Sequence, residues 1–326
     1  MAVLPGTDPQ SVAAAAAALA AGQLVAFPTE TVYGLGARAD DDAAVARIYA
    51  AKGRPSDHPL IVHLADAAGA DAFTPDPGDA ARRLMAAFWP GPLTVIVPRR
   101  ADRGRAAAGG QGSIALRVPA HPVALALLQA AARLGVAGVA GPSANRYGRV
   151  SPTTAAHVLQ EFGAALTVLD GGRCAVGIES TIVDCTRAQP ALLRPGQLSR
   201  AAIEAVLGQP LGAADAASPR APGTLASHYA PRAAVQLLDG VALRHRLQAG
   251  VDWPAGSVGV YSRLAPPVGS GWIHKAMAAD AASVAHDLFA VLREFDEAGV
   301  AAIWVERPPP GPEWDGVRDR LQRAAA

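Results

Sequence analysis

The apolar positions of this chain fall into short runs separated by turn residues, with helix-spaced stretches between them. Pro9 to Ala21 reads as a helix, with Asp8 as N-cap and Gly22 as stop. Leu24 to Phe27 is a short apolar strand, Asp40 caps a helix running to about Ala51, and Leu60 to Leu64 is a strand again. Asp79 to Phe88 is helical and stops at Trp89-Pro90-Gly91-Pro92. Leu93 to Val97 and Ile114 to Val118 are strands. A helix from Pro122 to Arg133 leads into the strand Val136 to Ala140, and Thr153 to Glu161 is another helix. Leu166 to Leu169 and Thr181 to Val183 are strands, and Ala202 to Leu207 is a last short helix. Strands mixed with helices in this order predict an α/β or α+β sheet domain.

From Gly208 to Arg232 the periodicity lapses into Gly, Pro, Ser and Ala, the composition of a linker. The pattern then resumes: Val235 to Leu238, a helix near Val241, Val258 to Tyr261, a helix from Ala281 to Glu297, Ala301 to Val305, and a closing helix from Glu313. Alternating strand and helix predict a small Rossmann-like three-layer domain. The expected organisation is a sheet domain over 1–207, a linker over 208–232 and a second α/β domain over 233–326. A length of 326 residues suits two domains.

Composition narrows the function classes. Apolar residues make up 51 % but aromatics only 5 %, so the core is expected to be built from Ala, Val, Leu and Ile. The net charge of +1 and pI of about 7.9 give no global field to recruit nucleic acid. Arg99, Arg100, Arg103 and Arg105 form a basic run that reads as a solvated loop rather than an RNA patch. Cys174 and Cys185 form no CxxC pair and cannot complete a structural zinc site alone, so reduced thiols and no protein metal site are expected. Met1 to Gly22 lacks a basic n-region and is too short and weakly apolar to span a bilayer. A soluble, cytoplasmic protein is expected.

The chemistry is concentrated between Phe27 and Leu64, where a hydroxyl-rich turn ending in two glycines precedes a helix, a Lys-Gly-Arg-Pro turn and a short strand. Gly34 to Ala39 fits the letters G-x-G-x-x-[GA], with Asp57 about 20 residues on. In a dinucleotide fold, however, the first glycine follows its strand directly, whereas Pro28 to Tyr33 intervene here. Lys52 and Arg54 leave a helix end into a proline-stiffened turn; a point charge and a planar fork together suit a triphosphate, while complementing a helix C-terminus explains Lys52 well and Arg54 less well. Ser143, Asn145 and Ser151 supply polar groups near a helix start, for an anion or as ordinary caps, with Ser151 as N-cap. Arg117 and Arg194 each follow strongly apolar residues and need an anionic partner, from a ligand or an internal salt bridge. No Walker A, HExxH or GxSxG motif is present.

Taken in order, PTETVYGLG, KGRPxxxPL, the arginine of SIALRVP, PSANxxGxxSPT, ESTIVD and RPG resemble the YrdC/Sua5 family of threonylcarbamoyl-AMP synthases, over roughly Val12 to Leu207. Pro222 to Pro231, PGTLASHYAP, followed by a small α/β domain, resembles the long Sua5 form. The resemblance implies a twisted sheet around a concave cavity, a C-terminal Rossmann-like domain and a linker able to cover the cavity. It implies synthesis of threonylcarbamoyl-AMP and pyrophosphate from L-threonine, bicarbonate or CO2 and ATP, with Mg2+ carried by ATP and pyrophosphate. The product would pass to a tRNA threonylcarbamoyl transferase acting on A37. By motif position, Thr31, His63, Arg117, Gly141 and Ser180 would line the threonine site, with Arg117 on the carboxylate. Lys52, Arg54, His58, Ser113, Ser143, Asn145, Ser151 and Arg194 would surround ATP, with Tyr229 reaching in from the linker; Lys52, Arg54 and Arg117 would carry the chemistry. His58 departs from the asparagine common in the family and is expected to be pH-sensitive near neutrality. Two rivals are an RNA-binding module using the same cationic cavity and a related carbamoyl-adenylate enzyme serving another acceptor.

Overall fold

The computed structural model describes residues 3–249, 254, 256–264 and 271–326. It divides into two compact units: Met1–Tyr147 with Ser151–Thr224, and Gly148–Val150 with Leu225–Ala326. The boundary after Thr224 falls inside the stretch expected to be a linker.

In the first unit the order is β1 (Val3–Pro5), α1 (Pro9–Ala20), β2 (Val25–Phe27), β3 (Gly34–Arg38), α2 (Asp42–Lys52), β4 (Ile61–His63), α3 (Gly78–Phe88), β5 (Leu93–Pro98), β6 (Ser113–Arg117), α4 (Pro122–Arg133), β7 (Val139–Ala140), α5 (Ala155–Phe162), β8 (Thr167–Asp170), β9 (Thr181–Asp184), β10 (Ala191–Arg194), α6 (Arg200–Leu207) and β11 (Gly212–Ala213). The strands form one mixed sheet in the order β1-β8-β2-β3-β7-β4-β6-β5-β9-β10-β11. Helix ends follow side-chain chemistry. Asp8 caps α1 ahead of Pro9, and Asp41, one residue beyond the expected Asp40, caps α2 by accepting from the Ala43 and Ala44 amides. Gly53, with φ of 64°, ends α2 and leaves Lys52 on its last turn.

Strand alternation gives the sheet two different faces. Val62, Leu64, Val95, Val97, Leu116 and Val183 pack with Val45, Ile48, Leu84 and Ile203 from the helices. Ile61, Ile96, Ala115, Ile182, Ala191 and Leu193 form a separate cluster on the other face, joined by Ala221. No helix residue belongs to that second cluster among the described residues. The alanine-rich α1 and α4 pack together over β2, β7 and β8 through Ala15, Ala16, Leu19, Ala124, Leu127 and Leu128.

The two motif glycines lie in a strand and not in a turn. Gly36 pairs with Val25 across the antiparallel β2–β3 ladder, so the dinucleotide fingerprint does not apply. A Cβ on Gly36 would stand 2.9 Å from both the Phe27 ring and Val139. These glycines make room for Phe27.

The second unit contains β12 (Ala234–Leu238), α7 (Gly240–Ala249), β13 (Val258–Ser262), β14 (Ile273–Ala276), α8 (Ala281–Glu297), β15 (Ala302–Glu306) and α9 (Asp315–Ala324). Its sheet is parallel throughout, in the order β12-β15-β13-β14. Helix α7 carries the chain from β12 to β13 and α8 from β14 to β15, the strand–helix alternation of the expected Rossmann-like arrangement. No helix among the described residues is long and apolar enough to cross a membrane.

Gly36→Ala should destabilise the first unit by about 1–3 kcal/mol, because Phe27 and Val139 cannot both retreat from the added methyl. Urea unfolding followed by tryptophan fluorescence measures this; an unchanged midpoint would contradict the packing role.

Candidate functional site

The sheet face without helices carries the polar groups. Register places His63 of β4 directly beside Arg117 of β6, and Ile61 beside Ala115 on the same face. Alternation adds Ser113, at the start of β6 and half-exposed.

Arg117 is 3 % exposed, and a charge so buried needs compensation. Its Nη2 lies 2.6 Å from Glu30 Oε1, Nη1 donates to Thr31 Oγ1 at 2.9 Å, and Nε donates to the Gly91 carbonyl at 3.2 Å. A guanidinium carries five N–H groups, so three contacts leave two for a ligand carboxylate. The 29–32 turn that delivers Glu30 and Thr31 is self-bonded. Thr29 Oγ1 sits 2.8 Å from Thr31 Oγ1 and donates to the Val32 carbonyl. Glu30 is the anionic partner that the sequence demanded for Arg117. The sequence reading passed over it, although a carboxylate between two threonines was the available signal.

His63 is buried against Phe27, edge to face with centroids 5.6 Å apart, and its Nδ1 has no hydrogen-bond partner among the described residues. Burial first, then the charge of Arg117, pushes its pKa down to about 3. It is therefore a neutral imidazole at working pH. Gly141 is obligatory beside it, since a Cβ there would lie 2.9 Å from His63 Nδ1.

Across the face, Ser180 Oγ is 2.8 Å from Thr94 Oγ1. Arg194 donates to the Ser180 carbonyl and hydroxyl and to the Pro222 carbonyl at 3.0–3.1 Å. Pro222 belongs to a strap over this face. Arg220 pairs with Asp57 at 2.6 Å and exchanges two hydrogen bonds with the Gln111 amide, and Ala221 packs on Ile61 and its neighbours. The basic run is a loop tied to itself, with Arg99 donating to the Arg100, Arg103 and Gln111 carbonyls.

The second corner forms at the end of α2. Lys52 Nζ donates to the Ser143 and Asn145 carbonyls, both at 2.5 Å, and so fixes the loop after β7. Burial and the Arg54 charge hold its pKa well below the ordinary lysine value. Arg54 lies over the Tyr147 ring and donates to the Pro59 carbonyl. Tyr147, absent from the sequence expectations, places its hydroxyl 2.9 Å from His58 Nδ1. Burial and Arg54 lower the His58 pKa, so its titration moves to the acid side of the neutral range expected from sequence. Ser151 is not the N-cap of α5; Thr154 is. Ser151 instead donates to Glu179 Oε1 at 2.5 Å, a second buried carboxylate that the sequence reading left unassigned. Tyr229 lies in the second unit, 1 % exposed, packed between Phe289 and Arg320. Both thiols are pushed up to about 12 by burial, which leaves neither as a nucleophile.

A profile of the Sua5–YciO–YrdC family, described as telomere recombination, matches residues 17–196. One described as the C-terminal domain of threonylcarbamoyl-AMP synthase matches residues 198–326. This chain belongs to the Sua5/YrdC family. Its two-profile layout covers both halves of the chain. The threonylcarbamoyl-AMP synthase of Bacillus subtilis (strain 168) is 40 % identical, over 99 % of this chain and 94 % of the relative. That of Pyrococcus abyssi is 37 % identical over 93 % and 91 %. The crystal structure of P. abyssi Sua5 complexed with L-threonine matches with a TM-score of 0.88 at 35 % identity, covering 98 % of this chain and 95 % of that one.

The depressed His63 pKa has a consequence for stability. Below the unfolded value of about 6.5, the unfolded chain takes a proton that the folded chain refuses until about pH 3. The contribution is complete above pH 6.5 and is lost as pH falls towards 3. His63→Asn should flatten the pH dependence of unfolding free energy between pH 6.5 and 4.5 by up to about 1.4 kcal/mol per unit. Urea titrations across that range measure it; identical slopes would show that His63 titrates normally.

Proposed function

We propose that this family member is a threonylcarbamoyl-AMP synthase, joining L-threonine, bicarbonate or CO2 and ATP into threonylcarbamoyl-AMP and pyrophosphate. The observation that carries the reading is the buried Arg117. It is paired once with Glu30, retains two N–H groups, and stands beside a neutral histidine, in a chain that matches over nearly its full length a relative solved with L-threonine. An α-carboxylate fits two N–H groups of one guanidinium. Thr31, Ser180 and Gly141 complete the threonine corner.

ATP takes the second corner, among Lys52, Arg54, His58, Ser113, Ser143, Asn145, Ser151 and Arg194. Mg2+ enters with ATP as part of the substrate. The uncharged threonine amine captures CO2 as a carbamate and releases one proton. A carbamate oxygen then attacks the α-phosphorus, the bond from that phosphorus to the bridging oxygen breaks, and Mg-pyrophosphate leaves. The protein holds the reactants in line and screens phosphate charge, so no protein nucleophile is needed. The strap from Arg220 to Pro222 covers the face and excludes water from the mixed anhydride. The product is the donor for a tRNA threonylcarbamoyl transferase.

Pyrophosphate should appear from Mg-ATP only when threonine and bicarbonate are both present. Release of ADP and phosphate, or pyrophosphate release without threonine, would overturn the assignment. Arg117→Ala should chiefly weaken threonine and Arg54→Ala chiefly ATP, each by roughly 10- to 150-fold for the loss of a charge-assisted contact of about 1.5–3 kcal/mol. Calorimetry with each ligand distinguishes them, and equal damage to both ligands in both variants would refute the division.

A further inference from the structure

A buried pair of hydroxyls in the first unit carries one hydrogen more than its neighbours can accept. Thr94 lies fully buried in β5, and Ser180 is buried just ahead of β9, with the two oxygens 2.8 Å apart. Arg194 donates from Nη2 to Ser180 Oγ at 3.1 Å. No other polar group among the described residues meets either hydroxyl. A guanidinium only donates, so neither hydroxyl hydrogen can go to Arg194. One of them lies between the two oxygens, and the other is left without an acceptor. An unmet donor at this depth costs free energy, so the pair is poorly explained as a purely structural contact.

Register shows where the spare hydrogen points. Ile96, Ala115 and Ile182 belong to the cluster on the sheet face without helices. Thr94 stands two residues before Ile96 and Arg117 two after Ala115, so alternation puts both on that face. Thr94 pairs with Ile182 of β9, and its neighbour Val95 pairs with Leu116 of β6. Thr94 therefore sits between the strand that ends in Arg117 and the strand that Ser180 leads into. If Ser180 donated to Thr94, the spare hydrogen would be shut inside a central strand. If Thr94 donates instead, Ser180 accepts twice, from Thr94 and from Arg194, and both its lone pairs are used. The spare hydrogen is then its own, at the mouth of β9.

We propose that Thr94 is a positioning residue for threonine binding: by donating to Ser180 it restricts that hydroxyl to giving its hydrogen to the substrate carboxylate. The inference rests on the reading of the chain as a threonylcarbamoyl-AMP synthase. Among the polar groups of threonine, the carboxylate alone accepts without donating, so it is the group that a donor-only hydroxyl selects. Arg117 offers the same carboxylate its two remaining N–H groups, and Ser180 adds a donor from the other side of Thr94. Without the Thr94 hydroxyl, Ser180 regains a lone pair and a free torsion. It can then turn an oxygen towards the carboxylate, which disfavours binding.

The test uses the full chain with Thr94→Val, Thr94→Ser, Ser180→Ala, and Thr94→Val combined with Ser180→Ala. Threonine KM, ATP KM and melting temperature are measured for each. Valine keeps the shape and removes the hydroxyl, whereas serine keeps the hydroxyl and removes a methyl. Thr94→Val should raise the threonine KM about three- to tenfold, the range for one neutral hydrogen bond, with the ATP KM within about twofold. Its melting temperature should be no lower than that of Thr94→Ser, whose threonine KM should stay within about twofold of the parent. On the Ser180→Ala background, Thr94→Val should change the threonine KM by less than about twofold, because the hydroxyl it orients is gone. An unchanged threonine KM in Thr94→Val, an equal rise in both KM values, a Ser variant as impaired as the Val variant, or an undiminished effect on the Ser180→Ala background overturns the proposal. A Thr94→Val chain that unfolds where Thr94→Ser stays folded makes the hydroxyl structural and overturns it too. A parent protein that makes no threonine-dependent pyrophosphate overturns the functional reading, and the role of Thr94 with it.

Discussion

A guanidinium buried at the end of a β-strand constrains most of the first unit. Without a counter-charge, Arg117 would cost several kcal/mol at its depth, so Glu30 has to reach it. That requirement fixes where β2 ends and how the 29–32 turn folds back. The turn is stiffened by its own threonines, and the returning strand β3 must pass close to Phe27, which Gly36 permits. Phe27 in turn places its ring against His63, the register neighbour of Arg117. The circuit closes on itself, and burial first, with the Arg117 charge second, keeps His63 neutral.

The two halves of the proposed binding face are built differently. The half proposed for threonine rests on strands whose ladder positions leave little freedom. The half proposed for the nucleotide rests on a helix end and a loop, and a loop has to be held from elsewhere if it is to be as well ordered. Lys52 does this from below through two carbonyls, and Glu179 does it at Ser151. Both buried ionisable groups support backbone or a hydroxyl, which makes them part of the site's framework before any ligand arrives.

Much of this was legible in the sequence. Pro122–Arg133 and Ala281–Glu297 appear with the expected bounds, because proline or an acidic cap opens each and the apolar spacing runs unbroken between. The strand Gly34–Arg38 was not legible, since glycine is a poor strand former and its place is decided by packing against Phe27. Strands Val3–Pro5, Ala191–Arg194 and Ile273–Ala276 also escaped; each is four residues or fewer and is defined by its ladder partner rather than by its own pattern. Among site residues, cations were easy to find because apolar neighbours made them conspicuous. The carboxylates Glu30 and Glu179 were harder, because short polar motifs do not reveal which member faces inward.

His58, proposed for the nucleotide corner, stands where the family resemblance expects asparagine. An asparagine side chain offers an uncharged N–H donor. Here the Tyr147 hydroxyl lies 2.9 Å from Nδ1, and with that hydroxyl donating, the ring proton resides on Nε2. The imidazole then offers one uncharged donor at a similar reach. Burial and the nearby Arg54 lower its pKa, which disfavours the charged ring. A protonated His58 would attract phosphate more strongly, but it would also repel Arg54, which lies over the same Tyr147 ring. Tyr147 thus touches both: its hydroxyl meets His58 Nδ1 and its ring carries Arg54. The substitution is accommodated by a partner already present in the loop.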